Sequence, residues 1–590
     1  MRKLILSLST LFFIFCSCTE DIDTSARYVF TEYTVASYLE AHADYSQYLE
    51  LTKLVPVSGR SQSSVYQLLT ARGNYTCFAL TNEAIEAYLQ DLVDEGLISE
   101  PSWDAFTDEQ KLDSVRKVVV RNTVIDGGDM ESERYTVSQI TTVASGKENA
   151  ELPLPTIYDH KLTVNQGKND TLFLDRVCAI DPINCDIPVI NGVIHKLHKV
   201  IAPKDESCAR YMQVILDEER EGYLMFAKAL QVCGLLDTLS KVRDEVFESG
   251  YQAGEFPDME NYVEKGGGDM SATAGDPDAH VPEHRKYGFT FFCETDEFWQ
   301  SQGIDPKEGD AVAKLQDWIV SNNMYLSDGG YVANTDYTSP KNMLHQWLVY
   351  HILPMRIPAN KLVYHCNELG YTLSSPSKYT LPVMEWYPVY EGGRLIKIYE
   401  SAESGGIYLN SFPERNNGIT DDGHEGYCDP QKRGVLIETN SELAEVTDIV
   451  NACIYPISQP LYYNDVTRDD MGRERIRFDL FSLFPEAITN GIRRADSPLG
   501  KWQHVYIPNN YQYFAGMKIM NEMTHFIHYN GYKTAWANYC QDEDKAFGQF
   551  DIRFTLPPVP KTNTYEFRYK LLATAARGIV QVYFGSDPEK

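Results

Sequence analysis

The sequence predicts an α+β chain in which one helix-then-strand unit is used twice and a β-rich segment follows. Three observations predict it. Residues 33–205 show helical spacing first and short apolar strands afterwards, residues 206–466 repeat that order, and residues 467–590 alternate apolar and polar side chains with period two. A chain of 590 residues exceeds what one core can organise, so several domains are expected. Its 43% hydrophobic and 23% charged residues are those of a folded globular protein.

In the first unit, Val35, Tyr38, Leu39, Tyr45, Leu49 and Leu51 give residues 33–54 helical spacing. Tyr75-Thr76-Cys77-Phe78-Ala79-Leu80 reads as a short apolar strand. Thr81 or Asn82 can cap the helix after it, and Glu83 sits where the helix dipole favours an anion. A long helix is expected around residues 108–124. Asn191-Gly192 then reads as a turn, with an alternating strand through Val193, His195 and Leu197 leaving it.

These residues carry a family resemblance. Thr76-Cys77-Phe78-Ala79-Leu80-Thr81-Asn82-Glu83-Ala84 resembles the first box of the fasciclin domain, T-x-F-A-P-T-N-x-A-F, with Leu80 in place of Pro and Ile85 in place of Phe. Asn191-Gly192-Val193-Ile194-His195-Lys196-Leu197 resembles its second box, N-G-x-I-H-x-I. The family's central Tyr-His is missing, since the matching helix end reads Arg121-Asn122-Thr123-Val124-Ile125.

The pattern returns downstream. Phe289-Thr290-Phe291-Phe292-Cys293-Glu294-Thr295-Asp296 resembles the first box, Tyr350-His351 supplies the Tyr-His, and Asn451-Ala452-Cys453-Ile454-Tyr455 resembles the second box. The resemblance implies two fasciclin-like domains, helices plus a β-wedge, at 33–205 and 206–466. Thr76, Phe78, Ala79, Thr81, Asn82, Asn191, Gly192 and His195 in the first, and Thr290, Phe292, Thr295, Asp296, Tyr350, His351, Asn451 and Tyr455 in the second, are expected to be structural motif residues. The second copy is longer, and residues 250–284 and 403–428 read as exposed insertions.

From residue 467 onward the alternation in 477–481, 550–554, 565–569 and 580–584 predicts an antiparallel β-sandwich-like domain. It ends soon after a strand, so it is expected to be incomplete or to close with help from elsewhere in the chain.

The N-terminal residues set the expected location. Arg2 and Lys3 precede an apolar run, 4–15, too short to span a bilayer as a helix, which needs about 20 residues. Phe15-Cys16-Ser17-Cys18 resembles a lipobox, so residues 1–17 are expected to be removed and Cys18 to carry the lipid. Residues 18–32 form a tether, whose acidic Glu20-Asp21-Ile22-Asp23 resembles a surface-export signal. The expected site is the outer membrane, facing outward, with the membrane as a partner through the anchor.

A net charge of -31 argues against nucleic acid, because no clustered Lys and Arg are present to displace counterions from phosphates. Of the 12 cysteines, Cys77, Cys233, Cys293 and Cys453 sit in apolar runs, while spacing would allow Cys178 and Cys185 to bridge a loop. Motifs of metalloproteases, α/β-hydrolases, P-loops and dinucleotide sites are missing. His525 and His528 fall on opposite faces if their segment is a strand, and residues 421–425 lack EF-hand spacing, so neither suggests a metal. No cofactor, metal or catalytic residue is expected.

The fasciclin resemblance implies a non-catalytic adhesion or interaction protein with a surface-protein partner. The alternative is a glycan-binding accessory lipoprotein of an outer-membrane polysaccharide importer, for which 39 tyrosines offer stacking faces. An enzyme, perhaps a hydrolase, is the third reading.

Overall fold

Short side chains that accept amide hydrogens start several of the helices. In the computed structural model, Thr34 closes a capping box with Ser37 at the start of α1 (Val35–Ala41). Beyond α2 (Ser46–Leu54), Ser64 does the same with Gln67 for α3 (Val65–Thr70). The structure describes residues 33–58, 61–94, 96–128, 134–144, 150–167, 171–201, 207–256, 279–365, 382–400, 406–412, 434–438, 449–476, 478, 480–493, 503–530, 543–568 and 580–585. Cys16, the lipid-attachment candidate Cys18, the leader 1–17, the tether 18–32, the 421–425 loop, Cys366, Cys428 and Cys540 lie outside them.

The helical spacing of residues 33–54 is not one helix. The chain leaves α1 at His42, makes one 3-10 turn over Ala43–Tyr45, and re-enters as α2. A distant side chain decides the break: Asn82 Nδ2 donates to the Ala43 carbonyl at 3.1 Å, and its Oδ1 accepts the Gln47 amide at 3.0 Å.

Strand β1 (Tyr75–Leu80), α4 (Asn82–Asp94), α5 (Glu109–Arg121) and β2 (Val124–Asp126) follow. After α6 (Val137–Ala144) come β3 (Ala150–Glu151), β4 (Thr163–Gln166), β5 (Leu172–Leu174) and β6 (Cys178–Ala179). A hairpin of β7 (Ile187–Val189) and β8 (Gly192–Leu197) ends the copy. One sheet has the order β2-β1-β8-β7, with β1 and β8 parallel, and β3 to β6 form a separate meander. A single core, from Val35 to Ile201, fills the space between.

The hairpin loop is Ile190-Asn191, and Gly192 is already strand. Its glycine serves close approach and not the turn. A Cβ there would lie 2.2 Å from the Tyr75 carbonyl oxygen, across the parallel pair.

The second copy repeats this order. It opens with α7 (Cys208–Glu218), α8 (Leu224–Val232), α9 (Leu236–Leu239) and α10 (Glu245–Ala253). Next come β9 (Phe289–Cys293), α11 (Asp296–Ser301), α12 (Ala311–Ser321), α13 (Met343–Tyr350) and β10 (Ile352–Leu353). A β11 (Tyr364–His365) and β12 (Pro382–Met384) pair precedes a meander of β13 (Trp386–Pro388), β14 (Leu395–Glu400), β15 (Ile407–Leu409) and β16 (Val435–Ile437). Then β17 (Ala452–Pro456) returns parallel to β9 in a sheet of order β10-β9-β17. Alternation sorts this sheet between two cores: Phe291 and Ile454 face the helices, while Phe292 and Tyr455 face the meander. Residues 406–412, expected within an exposed insertion, include β15, because their apolar side chains pair into the meander.

The third part departs from a plain sandwich. After α14 (Asp465–Met471) and α15 (Pro485–Thr489), strands β18 (Gln503–Ile507), β20 (His525–Asn530) and β21 (Glu543–Phe547) form one antiparallel sheet. Strands β19 (Met517–Ile519) and β22 (Ile552–Phe554) form another. Of the four expected alternating strands, 550–554 becomes β22, whereas Leu480–Leu483 is a 3-10 turn. Described residues 565–568 and 580–585 are exposed and join no ladder; alternation makes a strand only where an edge receives it. The core of this part borrows Phe247 from α10, and Phe256, Ala279 and Val281 from the stretch expected to be an exposed insertion. Phe247 and Phe256 stack at 5.0 Å, and Phe247 meets Tyr513 edge-on at 5.0 Å. A β-rich segment with few helices of its own needs such a loan to cover its apolar face.

Candidate functional site

The motif residues form one hydrogen-bond circuit, built twice. Asn191 Oδ1 accepts the Val35 amide at 2.9 Å, and its Nδ2 donates to the Leu69 and Ala71 carbonyls, both at 2.8 Å. Asn451 makes the same set: Oδ1 accepts the Cys208 amide at 2.8 Å, and Nδ2 donates to the Leu239 and Lys241 carbonyls, both at 2.9 Å. Each side chain thus joins the start of its copy's first helix to the chain leaving its third. In the second copy Asp296 takes the place of Asn82, its carboxylate accepting the Gly222, Leu224 and Met225 amides at 2.8 to 2.9 Å where α8 begins. Thr81 and Thr295 cap the helices that follow them, through the Ala84 and Phe298 amides.

A second circuit crosses each sheet. Thr76 Oγ1 accepts the Tyr135 amide at 2.8 Å, and His195 Nε2 donates to the Tyr135 carbonyl at 2.7 Å. Thr290 Oγ1 accepts the Ile357 amide at 2.9 Å, and the Tyr455 hydroxyl donates to the Ile357 carbonyl at 2.9 Å. Phe78 pairs in register with His195, and Phe292 with Tyr455, and both pairs stack. Ala79 is fully buried beside them. His195 is also fully buried, and its Nδ1 accepts the Asp186 amide. Burial therefore pushes its pKa down and keeps the ring neutral. Tyr135 and Ile357 contribute only backbone here, so no sequence signal marks them.

The copies differ further at the end of the first sheet strand. In the second, His351 Nδ1 donates to the Trp347 carbonyl at 2.8 Å, and Nε2 is hydrogen-bonded to Glu294 Oε1 at 3.1 Å. Glu294 Oε1 also accepts the Leu461 amide at 3.0 Å, and both side chains are fully buried. Tyr350 donates to the Leu395 carbonyl at 2.9 Å. In the first copy Leu80 and Thr123 occupy the positions of Glu294 and His351, and Thr123 Oγ1 meets the Tyr48 hydroxyl at 2.5 Å. Asn122, in place of Tyr350, donates to the Ile201 carbonyl at 2.9 Å.

Charged residues of the first meander hold the second copy and the third part. Glu151 forms a tight ion pair with Arg356, and Asn360 Nδ2 donates to the Glu151 carbonyl at 3.2 Å. Asp159, in a left-handed turn (φ 66°), sits among Lys286 Nζ at 2.5 Å, Arg243 at 3.4 Å and His284 at 3.5 Å. Burial would raise the Asp159 pKa, but Lys286, His284 and Arg243 hold it below the ordinary value. Neighbouring Arg285 reaches Asp244 at 2.7 Å, Glu486 at 3.3 Å and the Tyr513 carbonyl at 2.7 Å. Segments 243–248 and 284–287 are therefore the hub between the three parts. Sequence reasoning missed this hub, since isolated charges carry no motif.

Beside it, His160 Nε2 lies 2.8 Å from Asp175 Oδ2. Burial opposes both charges; even so, the His160 pKa is raised by Asp175, and the Asp175 pKa is lowered by His160 and by the Thr163 amide and hydroxyl. A raised histidine stabilises fully below its unfolded value, about 6.5, and loses this as pH rises through its folded value. A lowered aspartate stabilises above about 3.9 and loses this as pH falls through its folded value. The stability difference between the native chain and His160→Gln is expected to be greatest between about pH 4 and 6.5 and to shrink toward alkaline pH. Denaturant midpoints across pH check this, and a difference that stays constant contradicts it.

The remaining candidates lie apart. His525 Nδ1 bonds the Tyr506 hydroxyl at 2.9 Å and His528 Nδ1 bonds Asp544 at 2.9 Å, from opposite faces of β20. Among the described residues no group of three His, Cys, Asp or Glu side chains is placed to hold a metal ion. Cys178 and Cys185 are free thiols, not a bridge; their sulfurs donate separately to the Val200 and Pro182 carbonyls. Burial pushes the Cys77, Cys178 and Cys233 thiols up to about 12. Among the described residues no helix is long and apolar enough to cross a membrane.

No family model matches the sequence, and no curated protein matches it. Among solved structures the chain is similar to a FAS1 domain pair from the insect cell adhesion molecule fasciclin I, at 14% identity and a TM-score of 0.21, over 68% of this chain and 91% of that one. A likeness that loose carries no functional argument, and the chain's own duplicated wiring is the firmer ground.

Proposed function

We propose that this chain is a non-catalytic adhesion or interaction lipoprotein, built on two fasciclin-like domains and displayed outward from an outer membrane by lipid on Cys18. The observation that carries the reading is the duplicated wiring joined by a charged hub. The two circuits anchored on Asn191 and Asn451 make two copies of one scaffold. The Glu151–Arg356 and Asp159–Lys286 pairs hold the copies together. Copies joined in this way suit multivalent holding, where a second contact gains from effective concentration. Acyl chains contributing about 0.8 kcal/mol per buried CH₂ would keep such a body at the surface.

The test presents the full chain, in detergent, to purified surface proteins and to polysaccharides, with product analysis. Saturable binding of a protein that sugars do not compete away is expected, and Cys18→Ala is expected to move the chain from the membrane to the soluble fraction. Turnover of any substrate overturns the reading. A second reading, glycan binding, is favoured by the exposed aromatics Tyr565, Phe567, Tyr583 and Phe584 of the third part. It requires polysaccharide binding that is lost in Tyr583→Ala and Phe584→Ala.

A further inference from the structure

The hairpin between β13 and β14 turns through Glu391, Gly392 and Gly393, all at positive φ (61°, 70° and 75°). The glycines adopt this freely, whereas Glu391 is strained there. Its carboxylate is held by His345 Nε2, at 3.1 and 3.2 Å. The turn delivers Arg394 to the rings of Tyr350 and Tyr463, with the guanidinium carbon 5.2 and 5.9 Å from their centroids. Those centroids are 5.2 Å apart, so the guanidinium rests on the shoulder of a ring pair and is not enclosed between two faces.

Arg394 Nη1 donates to the Gln346 carbonyl at 3.0 Å. A guanidinium has five donors, and among the described residues the others meet neither a carboxylate nor a carbonyl. The nearest acid in the turn, Glu391, is committed to His345. The side chain is half-buried, and burial pushes its pKa down. Arg285 and Arg356 move up in spite of burial, Arg285 beside Glu486 and Arg356 beside Cys453 and Glu151. Glu391 acts on the guanidinium only through space, and among the described residues no carboxylate makes an ion pair with it, so an incoming anion would gain a charge-assisted hydrogen bond there.

We propose that Arg394 anchors a carboxylate-binding subsite on the second copy, and that its ligand is an aspartate or glutamate side chain presented by a protein partner. The planar fork of an arginine matches two in-line carboxylate oxygens. The chain's net charge of -31 repels a polyanion at long range but tolerates one carboxylate on an otherwise neutral surface. A sugar acid would want an open aromatic face to stack on, and Tyr350 and Tyr463 are buried against the guanidinium. This inference rests on the adhesion reading and names the chemistry of one of its contacts.

The full chain in detergent is titrated, by ligand-observed NMR, with a capped Gly-Glu-Gly peptide, its Gln counterpart, glucuronate and inorganic phosphate. The Glu peptide is expected to bind at least about tenfold more tightly than the Gln peptide. Arg394→Ala is expected to abolish that preference, and Arg394→Lys, which keeps charge but loses the fork, to weaken it about tenfold. Melting temperatures report whether each variant folds, and Arg394→Lys carries the test if Arg394→Ala does not. Equal binding of the two peptides, or Arg394→Lys binding as well as the native chain, overturns the proposal. Tighter binding of glucuronate or phosphate than of the Glu peptide overturns the assignment to a protein acid. Peptide binding kept while no surface protein binds counts against the adhesion reading; a protein bound while peptide binding fails counts against Arg394.

Discussion

Asn191→Ala is expected to destabilise the first copy by on the order of 4 kcal/mol, and Asn451→Ala to do the same to the second. Each substitution removes three hydrogen bonds: one accepted from a helix-starting amide and two donated to carbonyls of the segment leaving the third helix. Both asparagines are buried, so water does not readily replace what is lost. Each orphaned group costs about 1–3 kcal/mol, which makes the sum a large fraction of a domain's stability. Asn191→Asp should be no milder, because a carboxylate oxygen would then face two carbonyl oxygens. Denaturant unfolding followed by tryptophan fluorescence separates the copies: Trp103 reports on the first, and Trp299, Trp318 and Trp347 on the second. A loss below about 1 kcal/mol in either copy would show that the circuit is redundant.

His351→Ala is expected to cost about 3–5 kcal/mol, because it strands the Glu294 carboxylate in a sealed core. Glu294→Leu alone should also be costly, since it leaves His351 Nε2 and the Leu461 amide without their partner. The double variant Glu294→Leu/His351→Thr installs the pair that the first copy uses at these positions. It should be less destabilised than the sum of its single changes, because two partners removed together leave fewer unpaired groups. A double-mutant cycle in denaturant measures the coupling, and strictly additive costs would sink the idea.

Much of the fold was legible because each motif residue acts through a rule local to its element. Thr81 and Thr295 follow a strand and cap a helix, which is visible from spacing alone. The alternation in β9 and β17 likewise announces which residues face which core. Legibility failed where the cause was remote. Nothing in residues 33–54 says that Asn82 will split their helix, and nothing in Asn191-Gly192 says that the glycine answers the Tyr75 carbonyl and not the turn. The stretch around Phe256 and Val281 looked like an exposed insertion because polar and glycine residues surround it, yet the third part needed its apolar side chains.

By itself, the sequence determined that two stretches share one grammar, since helix periodicity, strand alternation and capping are properties of neighbours along the chain. Tertiary structure alone decided what the motif side chains hold, that the Glu151–Arg356 and Asp159 pairs join the parts, and that Arg394 lies against two tyrosines. The physical reason is distance. Hydrogen bonds and ion pairs between groups more than a hundred residues apart exist only after packing has brought them within about 3 Å, and no local pattern encodes that meeting.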